Sequence, residues 1–554
     1  MHHIGTEMLE TENLVLRRYK KTDAEDMFAN WVTDPEVTRF WGWEPHKDIS
    51  ITKTLLSKWI QEYENDETYH WVIENKENKQ AIGYIYLNSI NNDDSSAAVH
   101  YLLSRKYWNK GFMTEACKRV IEFAFCNVGF LKIWSYHHCD NPASGRVMQK
   151  CDMMLFKTEY MTMDSQQLSG NYHYFQIERQ KYLEDFEYLY QSLKEHPIFL
   201  FEDRLTKFDE LYNELYGTVY DYSSLVVAMT KLTMYFEDGH TNIELPYAKE
   251  DLCLKMKCYW NKDRLYLAEK YKDIDAGAEI LGVEGANVKE LITRAALVIP
   301  HENLYLVKSR MLQYPYMNYH IFSEMNLLRM FGTKMYYSVL FDVAGKQAIR
   351  QCELEANLGY LDFNDENKVS FEIKGNTAVL HLDECIYDEK YKYTLKELAV
   401  QCREKIVDIL ELDLSKNMGG SSAVIDEFIK YINIDMFRRY EMIDCTDGVR
   451  KVITSRSDEI ENLKAEVLFP ERIVCTISNT TFSSAKTFAV TLKDNGIAEI
   501  VGEPSGGKPS SYGMPKRNVT PNYKVRFRVS RCLFLRPDVT RDDEQALFPD
   551  NWKK

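Results

Sequence analysis

Residues 481 to 508, TFSSAKTFAVTLKDNGIAEIVGEPSGGK, hold a serine pair in a short polar turn and a lysine in a glycine loop. Between them Ala485, Phe488, Ala489 and Leu492 recur at the i, i+3, i+4, i+7 spacing of one buried helix face, and Asn495-Gly496 stops the helix. Ile497 to Val501 is then a short apolar run, a buried strand. A serine at the mouth of a helix sits among unpaired N–H groups at the positive end of the dipole. There Ser483 can attack a carbonyl while donors already in position receive the developing oxyanion. Lys508, one strand away, can take the serine's proton if burial keeps it neutral. The same serine also suits a plain N-cap, and the same lysine a surface loop.

Two further blocks bear on this chemistry. ILELDLSKNMGG is a buried strand running into the Gly419-Gly420 turn, where backbone N–H groups can approach a ligand closely. YFEDGHTNIEL places His240 just after an Asp-Gly turn. Taken in order, DGHT, LDLSKNMGGSS, TFSSAKTFA and VGEPSGGKPSSYG resemble the tail-specific, or carboxy-terminal-processing, serine peptidases, a family that includes tricorn-type enzymes. The resemblance spans roughly residues 185 to 554 and implies two arrangements. In the processing-protease form Ser483 is the nucleophile and Lys508 the general base. In the tricorn form His240 activates Ser483, with Glu544 or Asp543 as supporting carboxylate. In both, the Gly419-Gly420 turn and Ser484 supply the oxyanion hole. Lys486 stands where the family commonly has glutamate, and Ser415 where arginine is frequent. The alternative is therefore a peptidase-like module that binds a peptide without cutting it.

The N-terminal third carries a different chemistry. SRKYWNKGFMTEA leads from a strand through Gly111 into a helix with Cys117, Val120, Ile121, Ala124 and Val128 on one face, ended by Gly129. A strand-to-helix turn of this kind can hold a phosphate on its N–H groups. YWNKGFMTEA followed by DNPASGRVMQK resembles the GNAT acetyltransferases, in the branch that acetylates ribosomal-protein N-termini and related amines. The resemblance covers about residues 10 to 165 and implies acetyl-CoA as co-substrate and no metal. The pyrophosphate would lie on Trp108, Asn109, Lys110, Gly111, Phe112 and Met113, Asn141 would lie near the pantetheine, and Ser144 would be the acid. Ala98 occupies the strand position where a glutamate is common, which leaves the base to His100, Glu159 or a water. Asn109 replaces a frequent glycine.

These sites need several domains, as 554 residues exceed one ordinary core. The fold class expected is α/β multidomain: a GNAT-type mixed sheet with flanking helices over 1–180, a helical subdomain over 181–250, a PDZ-like insert over 251–300, a connecting segment over 301–365 and an α/β serine-peptidase core over 366–554. Helices are expected at 22–31, 51–63, 183–193, 206–216, 222–236, 393–410 and 421–431. The junction near 172–190 has no Gly/Ser-rich linker, so continuous packing is expected there. A net charge of −15 argues against a nucleic-acid or anionic-membrane partner. No apolar run reaches membrane-spanning length, the opening MHHIGTEMLETEN is not a secretory signal, and 12 scattered cysteines fit reduced thiols, so a cytoplasmic location is expected. The partners expected are an amine, a peptide or a protein chain terminus. Peptidases of this type often assemble, so an oligomer is compatible with the resemblance.

Overall fold

The computed structural model describes residues 1–162, 168–244, 252–312, 320–332, 334, 336–356 and 368–552. The expected connecting segment at 301–365 falls partly outside these residues. The architecture is mixed α/β in two compact units. The first comprises 1–187, 213–228 and 521–523, and the second 188–212, 229–520 and 524–554. The expected helical segment 181–250 is thus shared between them. No helix among the described residues is long and apolar enough to cross a membrane.

The first unit is built on eight strands: β1 (Leu9–Glu10), β2 (Leu14–Arg17), β3 (Tyr69–Asn75), β4 (Ala81–Asn91), β5 (Ser96–Leu103), β6 (Lys132–His138), β7 (Met154–Met161) and β8 (Gly170–Glu178). Their spatial order is β1-β2-β3-β4-β5-β6-β8-β7. All neighbours are antiparallel except β5 and β6, which are parallel and share only the pairs from Ser96↔Lys132 to Ala98↔Trp134. A parallel pair needs a crossover, and helix α1 (Phe112–Phe123) supplies it, burying Met113, Ala116, Cys117, Val120 and Ile121. The helical turn that follows α1 ends at Gly129, whose φ of 92° no branched residue tolerates easily. Helix α2 (Pro142–Lys150) follows β6, with Asn141 at its N-cap and Pro142 in its first turn.

The core of the second unit is a five-stranded sheet: β9 (Val369–Lys374), β10 (Thr377–Leu382), β11 (Ile409–Asp413), β12 (Arg472–Ile477) and β13 (Ala498–Gly502), in that spatial order. The first pair is an antiparallel hairpin and the rest are parallel. Alternate residues of its parallel strands (Leu410, Leu412, Ile473, Cys475, Ile477, Ile500) are buried, while Glu411, Thr476 and Glu499 between them are not, so one face of these strands carries the core. The crossover into β11 is the helix Glu389–Glu404, not 393–410. Asp388 caps it by accepting the Tyr391 N–H at 2.8 Å, and Ile406 at φ 52° breaks it before the strand. Helix α3 (Ser484–Asp494) joins β12 to β13 and buries Ala485, Phe488, Ala489 and Leu492, the four positions of the sequence periodicity.

A separate antiparallel sheet runs Cys258–Asn261, Arg264–Leu267, Glu279–Val283, Tyr336–Val343, Lys346–Glu353, with the helix Val288–Ala296 beside it. It is larger than the insert expected at 251–300, because the hairpin from 336–353 completes its sheet and its core. Finally, Asn242–Glu244 pairs with Arg526–Val529 from near the C-terminus. That pairing fixes the DGHT turn that precedes it.

Candidate active sites

The first site lies where β12 turns into α3. Thr481 and Ser478 knit the turn: Thr481 Oγ1 donates to the Leu414 carbonyl at 2.8 Å and accepts the Ser478 N–H at 2.9 Å. Ser483 sits at the corner with φ 52° and ψ −128°. A non-glycine residue at positive φ costs of the order of 1–3 kcal/mol, and such strain collects at functional corners. Helix α3 begins at once, so the Ser484 N–H has no partner among the described residues, and neither has that of Gly420. Asn417, fully buried, accepts the Gly419 N–H at 2.8 Å and donates to Leu382 at 2.8 Å, which holds the glycine turn against the serine. At φ 113°, a Cβ on Gly419 would come within 2.6 Å of the Ser483 Cβ. Glycine is required there.

His240 Nε2 lies 3.0 Å from Ser483 Oγ. Its ring stacks on Phe482 at 4.8 Å between centroids, and Phe482 in turn receives the Arg310 guanidinium at 4.9 Å. A Cβ on Gly239 would meet the Phe482 ring at 2.6 Å, so the glycine of DGHT is there to let that ring in. Two carboxylates face His240 Nδ1, Asp238 Oδ1 and Glu302 Oε1, each at 3.6 Å. They differ in how they are occupied. Asp238 is fully buried and accepts from His196 Nε2 (3.2 Å), Thr241 Oγ1 (2.6 Å), Ser530 Oγ (2.6 Å) and the His240 backbone N–H (2.9 Å). His196 Nδ1 accepts the Ile198 N–H, so its Nε2 carries the proton given to Asp238. Glu302 accepts the Lys508 backbone N–H at 2.9 Å through Oε2, while its Oε1 is buried and without a hydrogen-bond partner. His240 Nδ1 is likewise buried and unpartnered.

Burial works against charge on both partners, and contact with each other outweighs it. Asp238 is held well below its ordinary value by His196 and His240 despite its burial. Burial alone would lower His240, but the nearby carboxylates of Asp238 and Glu302 raise it above its ordinary 6.5. Ligand atoms of Asp238, His240 and Glu302 lie within 4.8 Å of one another, near enough to hold a metal ion. With Asp238 saturated by four donors, His240 Nδ1 and Glu302 Oε1 remain as an open donor–acceptor pair. The set can take a proton from Ser483 and hold the resulting imidazolium.

The second site is a cavity of about 470 Å³ in the first unit, lined among others by Tyr101, Trp108, Gly111, Asn141 and Ser144. It is walled by the end of β5, the turn through Gly111 and the start of α2. Asn109 at φ 57° and Gly111 at φ 84° both take left-handed backbone, which Asn tolerates better than most side chains. The first turn of α1 then presents free N–H groups to the cavity. Ser144 Oγ donates to the Tyr101 hydroxyl at 3.2 Å, and that hydroxyl donates to the Ser144 carbonyl at 2.9 Å. Burial pushes the Tyr101 phenol well above its ordinary value, so it stays protonated.

Comparison with known proteins agrees with both geometries. The acetyltransferase (GNAT) domain model matches residues 13–154, and the peptidase family S41 model matches residues 376–539. The uncharacterized N-acetyltransferase YoaA of Bacillus subtilis (strain 168) is 30% identical over 143 residues, 26% of this chain and 80% of that protein. The chain belongs to the GNAT acetyltransferases and carries a peptidase family S41 domain as well. The uncharacterized N-acetyltransferase p20 of Bacillus licheniformis is 27% identical over 30% of this chain and 90% of its own length. A solved structure of a CPAF mutant superposes with a TM-score of 0.50 at 14% identity, covering 67% of this chain and 92% of that one, which bears on fold alone.

In the second unit, Ser483, His240, Gly419, Gly420 and Ser484 come together. The Ser484 hydroxyl is taken up elsewhere, donating to the Gly420 carbonyl at 2.8 Å and meeting Ser422 Oγ at 2.9 Å. Lys508 does not join them through its amine, which pairs with Glu237 at 3.7 Å, and only its backbone N–H reaches the site. Glu544 is also elsewhere, bound to the buried Arg536 at 2.6 Å and to Arg541 at 2.7 Å. A buried guanidinium must have carboxylates, so the acidic tail that looked like a catalytic support serves Arg536 together with Asp494. Asp543 offers its backbone carbonyl to Gln545. Lys486, three residues after the serine, is buried. Burial draws it below its ordinary value against the pull of Glu302 and Asp238, and it donates to the Lys508 carbonyl (2.8 Å) and Ser511 Oγ (2.7 Å). Asp238, Glu302 and His196 were not singled out in the sequence. Asp238 stood in the DGHT block, whereas Glu302 lies before the matched S41 segment, and its one local signal is the Asn303 cap that follows it.

In the GNAT domain, Trp108, Asn109, Gly111, Phe112, Met113, Asn141 and Ser144 all line the cavity, and Lys110 is not among the lining residues. Lys110 instead sits over the Tyr107 ring at 5.3 Å. His100 packs between Tyr86 and Tyr136, with burial lowering it to about 4. Glu159 is exposed on an outer strand and pairs with Lys157 at 2.6 Å. Neither lines the cavity.

Proposed function

We propose that the chain is a bifunctional enzyme, an acetyl-CoA-dependent N-acetyltransferase joined to a serine peptidase. The observation that carries the hydrolytic half is the 3.0 Å approach of His240 Nε2 to Ser483 Oγ at a strained strand-to-helix corner. His240 takes the hydroxyl proton as Ser483 attacks a peptide carbonyl. The oxyanion is received by the N–H groups of Gly420 and Ser484. Glu302 accepts the His240 Nδ1–H, a contact that shortens from 3.6 Å as imidazolium forms. The ring returns its proton to the leaving amine, and water then releases the acyl group by the same steps. Asp238 positions this apparatus from behind, and Lys486 offsets the buried carboxylate charge.

In the GNAT domain the first turn of α1 holds the pyrophosphate of acetyl-CoA and Asn141 orients the pantetheine. Ser144, backed by the protonated Tyr101, returns a proton to the departing thiolate after an amine attacks the thioester. All cysteines are free and all but Cys126 and Cys139 are buried, which supports a reducing compartment such as the cytoplasm. The sheet over 258–353 with its helix Val288–Ala296 serves as a PDZ-like module that takes a peptide end by strand addition.

A fluorophosphonate probe tests the hydrolase directly. Labelling that disappears in Ser483→Ala supports it, and no labelling under any condition points to a module that binds without cutting. Acetyl-CoA tests the transferase by raising the melting temperature through mass action.

A further inference from the structure

The GNAT domain has a second cavity, about 770 Å³, that shares the Trp41 wall with the one around Gly111 and Ser144. Its volume is that of a small-molecule site. Rings form a continuous basket on one side. Trp41 meets Tyr84 at 5.5 Å, Trp59 meets Tyr84 at 5.7 Å and His70 at 4.6 Å, and His70 meets Tyr86 at 5.3 Å. The charge is one-sided. Glu62 and Glu67 stand at its exposed rim, and no lysine or arginine lines it. Its two histidines add no positive charge at neutral pH, since burial lowers His46 and takes His70 to about 3. His70 is buried, and its Nε2 has no hydrogen-bond partner among the described residues.

Aromatic faces attract a cation by their quadrupoles, and a carboxylate rim raises its local concentration. A hydrophobic anion or a phosphorylated acceptor would meet repulsion at the rim and no counter-charge inside. We infer that this basket is the acceptor pocket and that it takes a small amine, cationic in solution, carried on an apolar or aromatic body. This rests on the reading of the neighbouring cavity as the acetyl-CoA site. The chemistry is amide formation. The ammonium first gives one proton to solvent, the neutral amine then attacks the acetyl carbonyl, the carbon–sulfur bond breaks, and a second proton from the nitrogen joins the thiolate, leaving CoA thiol and the N-acetylated product. A folded protein's N-terminus would use the rim and leave the basket empty.

Two measurements on the full-length chain separate the possibilities. Phenethyltrimethylammonium, which cannot be acetylated, is titrated against tryptophan fluorescence, and CoA release is followed with 2-phenylethylamine or a short peptide with a free N-terminus as acceptor. The cation is expected to bind, with Trp59→Leu weakening it on the order of tenfold. Glu62→Gln with Glu67→Gln is expected to weaken it by about threefold, more at low salt, and these exposed positions leave folding intact. 2-Phenylethylamine is expected to outrun the peptide, and the neutral 2-phenylethanol not to bind. An acetyl-CoA melting shift with no binding of the cation, with binding indifferent to both variants, or with turnover of the peptide alone overturns the inference and leaves the transferase intact. Binding of the cation with no acetyl-CoA shift overturns the acceptor role and the transferase reading together.

Discussion

In the second unit the site is made of buried charge: Asp238, Glu302 and Lys486 are buried, each held by two or more hydrogen bonds or by opposite charge. In the GNAT domain the cavity around Gly111 is made of backbone N–H groups, a capped helix and neutral hydroxyls, and its neighbour is made of rings. Under the proposed function, the difference follows from what each reaction asks. Serine hydrolysis moves a proton to an imidazole and back, so the protein must tune and hold an imidazolium. Acetyl transfer receives a substrate that is already activated and already anionic, and helix N–H groups suffice to hold it. A site of buried charge is also more brittle, since removing one partner strands the other at a cost of about 3–5 kcal/mol.

That contrast can be broken most forcefully at Ser483. Ser483→Ala is expected to cut peptide hydrolysis by roughly 10⁴–10⁶-fold while acetyl transfer, assayed in parallel as CoA release, is unchanged. Next come the two carboxylates. Glu302→Gln should lower kcat by about 10²–10⁴-fold with little loss of fold. Asp238→Asn should instead destabilise the second unit by about 3–5 kcal/mol in denaturant unfolding, because the amide nitrogen would face either the three donors on Oδ2 or the His240 N–H on Oδ1. Equal effects from the two would show that they share one role.

The pH dependence sharpens the same distinction. His240 must be neutral to act as base, and its pKa is raised, so kcat/KM should rise with pH through a midpoint above 6.5. Glu302→Gln should move that midpoint down, since it removes part of what favours the imidazolium. The stability signs are opposite for the two partners. The contribution from charging His240 is full below its ordinary 6.5 and is lost as pH rises through the raised folded value. That from Asp238 is present above its ordinary 3.8 and is lost as pH falls toward the depressed folded value. The smallest effects belong to the GNAT domain. Acetyl-CoA at a hundredfold excess over Kd should add about 2.7 kcal/mol, read as a melting shift, and Tyr101→Phe should cost only about 1 kcal/mol.

Short periodic segments were legible. The four apolar positions of α3, the Gly129 stop and the two strand–turn–helix corners that carry Ser483 and Gly111 stand in the structure where the spacing puts them. The limits were less so. The helix expected at 393–410 begins four residues earlier because Asp388 is its cap, and the sheet around 258–353 gathers strands from two separate stretches of the chain.

By itself, then, the sequence determined the local corners: which serine sits at a helix mouth, which glycines face it, and where the Gly111 turn opens into a helix. These depend on residue type and on neighbours within one turn. Only the tertiary structure decided which groups meet the serine. It brought His240 from a segment 243 residues away, turned the Lys508 amine out to Glu237, gave Glu544 to Arg536 and left Glu302 facing an open imidazole nitrogen. The physical reason is that a carboxylate's role is set by which donors already occupy it, and those donors arrive from strands far apart in the chain.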